Sequence, residues 1–228
     1  MRMHLNRTLL IDADDTLWEN NVYFERVATG FVAALVKRGH RTAPIHELLW
    51  QTEQRNVKIT GYGSKAFCAS LHEVAHALGC VDLETWITEQ ENWIFHHPIE
   101  LMPGVRETLP LLFANNKLIV LTKGRPEEQI AKLERSGLAG FFHFVEIVFE
   151  KDVETYRDIV KKHGLDFSTT WMIGNSPRSD INRAKAAGLR TVFIPYHTTW
   201  QHEIEEIATN GPETLVLENF GALRQHFV

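Results

Sequence analysis

In Leu9-Leu10-Ile11-Asp12-Ala13-Asp14-Asp15-Thr16, an apolar run passes directly into three carboxylates and a hydroxyl. An apolar run of this kind is typical of a buried β-strand. Carboxylates crowded at the end of such a strand repel one another and resist desolvation, so they persist mainly where a cation or a catalytic task compensates them. The stretch therefore predicts a metal site at the carboxyl end of the first strand.

The second half of the chain alternates short apolar runs with helical patterns. From Pro103 onward, most of the intervening helices end near a glycine, such as Gly137, Gly164 and Gly188. The apolar runs are 118–121, 144–149, 170–173, 191–194 and 214–217. Strands that alternate with helices predict an α/β fold with a doubly wound, Rossmann-like parallel sheet. Ligands of such sheets bind at the carboxyl ends of the strands.

Residues from about 20 to 100 show helical periodicity and contain no convincing strand. The first helix of this region ends near Gly39, and both its first and its last helix carry a stripe that is suited to packing. The stripe residues are Phe24, Val27, Ala28, Phe31, Val32 and Leu35 in the first helix and Trp86, Ile87, Gln90, Trp93 and Ile94 in the last. The sequence thus predicts an all-helical domain at 20–99, inserted into an α/β core domain formed by 1–19 and 100–228.

The composition narrows the class of protein and partner. The chain has 228 residues, 44% of them hydrophobic, which is enough for one substantial core and a smaller accessory domain. A net charge of −5 gives no overall attraction to nucleic acid or to an anionic membrane, which points to a small partner. With two cysteines and no apolar signal core at its start, we expect a reduced, cytoplasmic protein without a membrane span. Monomer and homodimer both remain open.

Four polar motifs follow predicted strands in order along the chain. They are Asp-Ala-Asp-Asp-Thr at 12–16, Thr122, Lys151 and Gly-Asn-Ser-Pro-Arg-Ser-Asp at 174–180. A single Asp-x-Asp occurs often by chance, whereas four ordered motifs at strand ends are specific. Together they resemble the motifs of the haloacid dehalogenase-like hydrolase superfamily, and the resemblance spans nearly the whole chain. The helical insert resembles the mobile helical cap of that superfamily.

The resemblance implies a magnesium-dependent phosphatase that acts on a small phosphorylated metabolite. Cleavage of a phosphomonoester needs an in-line nucleophile, charge neutralisation and a proton for the departing oxygen. Asp12 is expected to attack phosphorus and form an aspartyl-phosphate, and Asp14 to donate the proton and later remove one from water. Thr122, Lys123 and Lys151 are expected to contact the substrate, with Lys151 neutralising the transferring group.

The same resemblance implies a set of metal ligands. A magnesium ion is expected to bridge Asp12 and the phosphate, with Asp180, Asn175 and the backbone carbonyl of Asp14 as its other ligands. Asn175 stands where many members carry a second acidic residue, which predicts weaker magnesium binding. Asp15 stands where glycine is common, but aspartate tolerates unusual backbone angles, so the turn is expected to survive.

The residue at position 14 separates chemistries within the superfamily. Members that dehalogenate carry no acid there, because a halide leaves without a proton, so Asp14 favours a phosphatase. A phosphomutase shares the constellation and differs in returning the phosphoryl group to its substrate, which would make it dependent on a bisphosphate activator. A non-catalytic binding module of the same fold is disfavoured because every catalytic role has a candidate residue.

The helical insert offers a rival interpretation. His72-Glu73-Val74-Ala75-His76 fits the zinc-protease pattern His-Glu-x-x-His, in which both histidines bind zinc and Glu73 is the general base. On the same helix, Lys65, His72, Glu73 and His76 form one polar stripe opposite the apolar residues, which is typical of a solvated helix. Because no strands precede this segment to build a protease sheet and no methionine turn follows it, a zinc metalloprotease is the weaker hypothesis.

Substrate specificity is expected to reside in the helical insert and in the flap after Thr16. The candidate contacts are Trp18, Glu19, Asn20, Tyr62 and Lys65. Residues 60–64 are either a recognition loop or a simple turn, and residues 197–200 line the mouth of the site or form a packed connection. Neither composition nor motif identifies the compound that carries the phosphate.

Overall fold

The computed structural model describes residues 7–228 and divides the chain into two compact units. One unit consists of Met1–Asn21 and Ile99–Val228, and the other of Val22–Pro98. The predicted domain boundaries lie within two residues of this division. None of the described helices is long and apolar enough to cross a membrane.

The unit Val22–Pro98 is helical. Its helices are α1 Asn21–Lys37, α2 Thr42–Thr60, α3 Ser64–Ala77 and α4 Glu84–His96. The predicted stripes supply its core, in which Phe31, Leu35 and Ile87 are fully buried together with Leu71 and Val74 of α3. Apolar residues at helical spacing therefore build a small bundle in this part of the chain.

The other unit is built on a six-stranded sheet whose neighbouring strands are all parallel. The strands are β1 Thr8–Ile11, β2 Lys117–Lys123, β3 Phe144–Val148, β4 Thr170–Gly174, β5 Arg190–Phe193 and β6 Thr214–Val216. Their order is β3-β2-β1-β4-β5-β6, so β1 lies between β2 and β4. Ile11 pairs with Val120 on one side and with Ile173 on the other, which brings three strand ends together. The predicted fold class is confirmed.

Successive residues of the central strands face opposite layers of helices. The helices of this unit are α5 Val105–Asn115, α6 Pro126–Ser136, α7 Val153–Lys162, α8 Arg183–Ala187 and α9 Arg224–Phe227. Leu9 and Ile11 pack with residues of α5, α6 and α9, whereas Leu10 packs with residues of α7 and α8. A parallel sheet covered on both faces explains why its strands are continuous apolar runs rather than alternating ones.

Helix α6 has clear signals at both ends. Pro126 occupies its first turn together with Glu127 and Glu128, which suit the positive end of the helix dipole. The helix stops at Gly137, whose φ of +71° lies in the left-handed region that favours glycine. Two of its residues, Gln129 and Lys132, are polar yet buried, and both point to the functional site.

Candidate active site

The ends of the central strands bring two of the predicted carboxylates onto one lysine. Asp12 directly follows β1, and its backbone N–H donates to the carbonyl of Ile173 in β4. The Nζ of Lys151 lies 2.5 Å from Asp12 Oδ1 and 2.7 Å from Asp180 Oδ1. All three side chains are buried. These residues, called the Asp12–Lys151–Asp180 cluster below, come from three separate sequence motifs.

The loop after β4 fixes the carboxylate of Asp180. Asp180 Oδ2 accepts a hydrogen bond from the backbone N–H of Ser176 at 3.0 Å. The Ser176 hydroxyl in turn accepts from the backbone N–H of Ser179 at 2.9 Å, which caps the helical turn Pro177–Asn182. A Cβ at Gly174 would collide with the Asp180 carboxylate, so this carboxylate position requires a glycine at the end of β4.

Thr16 and Asn175 complete the polar surroundings of Asp12. Thr16 Oγ1 lies 3.0 Å from Asp12 Oδ2 and 3.2 Å from Asn175 Oδ1. Both oxygens of Asp12 therefore have a partner, Lys151 on one side and Thr16 on the other. A carboxylate held from both sides has a fixed orientation, which suits a nucleophile that must attack along one line.

The charges of this cluster depend on one another. Burial raises the pKa of Asp12 to about 7, Lys151 opposes that rise and Asp180 adds to it. Burial alone would lower the pKa of Lys151, but the carboxylates of Asp12 and Asp180 raise it. Lys151 therefore carries its positive charge and provides the compensation that lets Asp12 ionise near neutral pH.

The residues at this edge of the sheet fit a magnesium ion. The donors are hard oxygen ligands, namely the carboxylates of Asp12 and Asp180 and the side-chain oxygen of Asn175, which shares Thr16 with Asp12. The two carboxylates already converge on a single positive charge, the ammonium of Lys151. Magnesium in phosphate-processing sites typically takes one or two protein carboxylates together with substrate oxygens and water. The donor set therefore has the composition that this ion requires.

The carboxylate of Asp14 is held by a different group of residues. Its oxygens lie 2.6 and 2.8 Å from Lys132 Nζ, and they also accept from Trp18 Nε1 at 2.8 Å and from Gln129 Nε2 at 2.9 Å. Burial alone would raise the pKa of Asp14, but Lys132 and these hydrogen bonds lower it. The name Asp14 clamp is used below for Trp18, Gln129 and Lys132.

The flap after β1 is closed by Asp15. Its φ is +62°, and its carboxylate accepts from the backbone N–H groups of Asn20 and Asn21 at 2.8 and 3.0 Å. Burial raises the pKa of Asp15 to about 7, while these hydrogen bonds oppose the rise. The expectation that aspartate is compatible with this turn is confirmed, and the same side chain also fastens the flap.

Thr122 and Lys123 lie at the end of β2. The surroundings of Lys123 differ from those predicted. Thr122 is buried, and its hydroxyl lies 3.4 Å from the carbonyl of Lys123. Lys123 Nζ lies 2.5 Å from Glu203 Oε1 and 3.3 Å from Glu150 Oε1, and it donates to Ser179 Oγ at 2.9 Å. The structure therefore places Lys123 in a buried ion pair, whereas the prediction made it a substrate contact.

Glu203 connects this ion pair to the loop that carries Asp180. Its second carboxylate oxygen accepts from the hydroxyl of Ser176, the residue whose N–H binds Asp180. Burial alone would raise the pKa of Glu203, but Lys123 and the hydrogen bonds that it receives lower it to about 2. Glu203 thus remains ionised at neutral pH and ties the segment after β5 to the site.

The predicted substrate contacts occupy varied positions. Trp18 is 1% exposed and its indole binds Asp14, a role that differs from the predicted substrate contact. Lys65 is exposed at the start of α3, and Tyr62 is half-buried in the turn between α2 and α3. Within the predicted mouth region 197–200, the backbone carbonyl of Thr198 accepts from Asn21. The substrate roles of Tyr62 and Lys65 remain predictions.

The His-Glu-x-x-His segment of α3 is engaged in surface ion pairs. Glu73 pairs with Arg55 and accepts a hydrogen bond from Asn56, and His76 Nε2 lies 2.7 Å from Glu84 Oε1. Among residues 7–228, no group of three or more histidine, cysteine or acidic side chains is arranged to hold a metal ion. The contacts of Glu73 and His76 are those of a polar, solvent-facing side of α3 and not those of a zinc site.

The structure brings to the site several residues for which the sequence predicted no role. Thr16 was part of the quoted motif but received no role of its own, and Glu203 lies in a segment without clear periodicity. Gln129 and Lys132 are three residues apart, so they share one face of α6. That face also carries the buried Leu133. Polar residues beside a buried apolar residue are the sequence signal that could have identified Gln129 and Lys132.

Comparison with solved structures identifies relatives that share this architecture. A haloacid dehalogenase-like family hydrolase from Xanthomonas campestris is 26% identical, with 97% of this chain and 95% of that chain covered and a TM-score of 0.82. The 2-haloacid dehalogenase from Pseudomonas syringae is 23% identical, with 96% of each chain covered and a TM-score of 0.61. The putative HAD-hydrolase YfnB from Bacillus subtilis, bound to magnesium, is 18% identical, with coverage of 96% and 97% and a TM-score of 0.67.

No curated protein matches the chain. The family described as haloacid dehalogenase-like hydrolase matches residues 6–188, which include all four polar motifs. This match covers both the strand ends that carry the Asp12–Lys151–Asp180 cluster and the inserted helices. The chain belongs to the haloacid dehalogenase-like hydrolases.

Proposed function

We propose that this hydrolase is a magnesium-dependent phosphatase that cleaves a small phosphomonoester through an aspartyl-phosphate on Asp12. The observation that carries the proposal is the position of Lys151 Nζ, within 2.7 Å of carboxylate oxygens of both Asp12 and Asp180. This geometry supports the proposal because it holds two carboxylates around one positive charge. A phosphoryl dianion needs these groups because it repels an anionic nucleophile unless its charge is offset.

In the first step, Asp12 forms a bond to phosphorus while the bond from phosphorus to the leaving oxygen breaks. The electron pair of the broken bond goes to the leaving oxygen, which receives a proton from the protonated form of Asp14. Because Lys132 and the hydrogen bonds lower the pKa of Asp14, this form is the minor one before substrate binds. Lys151 offsets the charge on the phosphoryl oxygens, and Thr122, buried at the end of β2, offers a hydroxyl to one of them.

In the second step, water attacks phosphorus and Asp14 removes a proton from it, while the bond to Asp12 breaks and inorganic phosphate is released. Asp14 is thereby reprotonated, and Asp12 returns to its carboxylate form. When bound by Asp12, Asp180, Asn175 and the backbone carbonyl of Asp14, magnesium supplies further positive charge next to the phosphoryl oxygens.

The preference for a phosphate ester over a haloacid rests on Asp14. A departing alkoxide needs a proton, whereas a halide leaves without one, so an acid at this position serves only the first reaction. One structural relative is a 2-haloacid dehalogenase, and at 23% identity this likeness concerns the fold. Release of halide is therefore the competing activity that the experiment must include.

The test compares wild type with Asp12→Asn on two substrates, 4-nitrophenyl phosphate and 2-chloropropionate, with magnesium and with a chelator. We expect magnesium-dependent release of nitrophenol, a loss of about a thousandfold or more in Asp12→Asn, and no chloride release. Asp158→Asn, which makes the same change on an exposed carboxylate of α7, is the matched control and should keep the wild-type rate. Chloride release by the wild type without phosphate hydrolysis would replace the phosphatase with a dehalogenase.

A further inference from the structure

The hydrogen bonds of Asp14 fill the capacity of its carboxylate. An ionised carboxylate offers about four acceptor positions, two on each oxygen. Oδ1 accepts from Lys132 at 2.6 Å and from Trp18 at 2.8 Å, and Oδ2 accepts from Lys132 at 2.8 Å and from Gln129 at 2.9 Å. The four contacts therefore determine the orientation of the Asp14 side chain.

The ammonium of Lys132 is occupied as completely as the carboxylate. A lysine has three N–H donors, and Lys132 Nζ has three acceptors within reach: both oxygens of Asp14 and, at 3.1 Å, the side-chain oxygen of Asn20. The Lys132 side chain is 4% exposed, whereas that of Asp14 is 23% exposed. Lys132 therefore holds the carboxylate from the enclosed side, and the accessible group is Asp14.

The two oxygens of Asp14 are held unequally. Oδ1 has the shorter contacts, and its partner Trp18 is almost fully buried. Gln129 Nε2, which binds Oδ2, also donates to the backbone carbonyl of Lys123 at 2.9 Å and keeps that partner if Oδ2 takes up a proton. A proton on Oδ2 displaces one of the two contacts that this oxygen makes with Lys132 and Gln129. Lys132 and Trp18 keep their contacts with Oδ1, so the clamp can retain Asp14 through Oδ1 while Oδ2 carries the proton.

We propose that Lys132 is a positioning residue that, with Gln129 and Trp18, holds the Asp14 carboxyl in place for proton transfer to the leaving oxygen. This role rests on the phosphatase function proposed above. It assigns a part in the site to helix α6, which contributes none of the four sequence motifs. Lys132 contacts no substrate atom in this scheme, because all its donors are used by Asp14 and Asn20.

The test uses two esters that differ in their need for a proton. 4-Nitrophenyl phosphate releases a stabilised anion, whereas phenyl phosphate releases a more basic oxygen and depends more on the acid. We expect Lys132→Met to lower kcat/KM for phenyl phosphate about 10- to 100-fold more than for 4-nitrophenyl phosphate. Lys132→Arg, which keeps a donor, should restore part of the difference, and Gln129→Leu should shift the ratio in the same direction by less.

Two controls separate positioning from a general loss of structure. Lys185→Met removes another buried lysine of the same unit, one that donates to Thr214 Oγ1, and should leave the ratio of the two substrates unchanged. In an Asp14→Asn background, Lys132→Met should change the ratio no further, because the residue that it positions is already inactive. If Lys132→Met does not give a native circular dichroism spectrum, Gln129→Leu and Lys132→Arg carry the test.

The outcomes also separate this proposal from the function on which it rests. A wild type that hydrolyses neither ester refutes the phosphatase, and the positioning role is refuted with it. A wild type that hydrolyses both, with the same ratio in Lys132→Met and Gln129→Leu, leaves the phosphatase intact and refutes only the clamp. A further change of the ratio by Lys132→Met in the Asp14→Asn background would also refute it.

Discussion

The ion pairs at the sheet edge of one unit and those of the helical unit lie in opposite environments. At the edge of the sheet, the paired lysines Lys123, Lys132 and Lys151 expose only 13%, 4% and 2% of their side chains. In the helical unit, the pairs Arg38–Asp82, Arg55–Glu73 and His76–Glu84 have side chains that are between 34% and 62% exposed. The pairs of these three lysines are withdrawn from water, whereas the pairs of the helical unit and others far from the site, such as Arg157–Glu154, remain exposed.

This difference indicates where the fold contains ion pairs whose desolvation is unfavourable and whose presence is better explained by a function. A buried ion pair is often no more stable than an apolar packing of the same volume, because desolvation cancels much of the attraction. Exposed pairs cost little and contribute little. Three buried lysines paired with carboxylates at one sheet edge are therefore poorly explained by stability, and they lie where the catalytic residues are proposed.

In the presence of a chelator, the largest effect is expected from Lys151→Met, which leaves Asp12 and Asp180 facing each other without a positive charge. We expect the free energy of unfolding to fall by about 3–5 kcal/mol, the usual result of removing one partner of a buried pair. Urea unfolding followed by tryptophan fluorescence at pH 7 measures this change. Asp12, whose pKa is already raised to about 7, should also lose its ionised form, so the proposed phosphatase activity should disappear.

Lys185→Met is the reference for this prediction. Lys185 is also buried, but its Nζ donates to the hydroxyl of Thr214 rather than to a pair of carboxylates. Loss of one hydrogen bond to a neutral group should cost about 1 kcal/mol. If the two variants were equally stable, removing the positive charge between two buried carboxylates would cost no more than removing a neutral hydrogen bond. That result would contradict the prediction.

A second effect is expected from Glu203→Gln, and its sign follows from the lowered pKa. Because the pKa of Glu203 is about 2 in the folded chain and about 4.5 in an unfolded chain, the ionised group stabilises the fold above about pH 4.5. This difference in pKa contributes about 3 kcal/mol to the free energy of unfolding at pH 7. The contribution is lost progressively as the pH falls toward 2.

Unfolding of wild type and Glu203→Gln at pH 7 and pH 3 checks this sign. The difference in the free energy of unfolding between the two proteins should fall at pH 3 to about half its value at pH 7. Glu206→Gln alters an exposed carboxylate in the same segment and should show no such dependence. A difference between wild type and Glu203→Gln that grew on acidification would contradict the ion pair between Glu203 and Lys123.

The sequence predicted the fold and the centre of the site because their signals are local. Each strand is a short apolar run, and Asp12, Thr122 and Asp180 follow such runs within a few residues. In a parallel sheet, residues that follow strands meet at one edge, so position along the chain predicts proximity in space. The same logic predicts that Lys151, after β3, lies near them, although not which carboxylates it contacts.

The supporting contacts lacked such a local signal. Lys132 meets Asp14 across 118 positions of sequence, and Lys123 meets Glu203 across 80. A lysine on an amphipathic helix has the same local pattern whether it faces water or a buried carboxylate, and only the packing of α6 distinguishes the two cases. Lys123 was therefore expected to contact substrate, and Trp18 to contact substrate rather than Asp14.

The smallest effect is expected in the helical unit, from Arg55→Ala. Arg55 and Glu73 are about half exposed, so their attraction is screened by water and salt and should be worth no more than about 1 kcal/mol. A double-mutant cycle with Glu73→Ala measures this coupling in urea unfolding, and raising the salt concentration should reduce it further. The same cycle on Lys123 and Glu203 should give a several-fold larger coupling that salt barely changes. If the exposed pair gave the larger coupling, the contrast between the two units would lie in the identity of the paired residues and not in their burial.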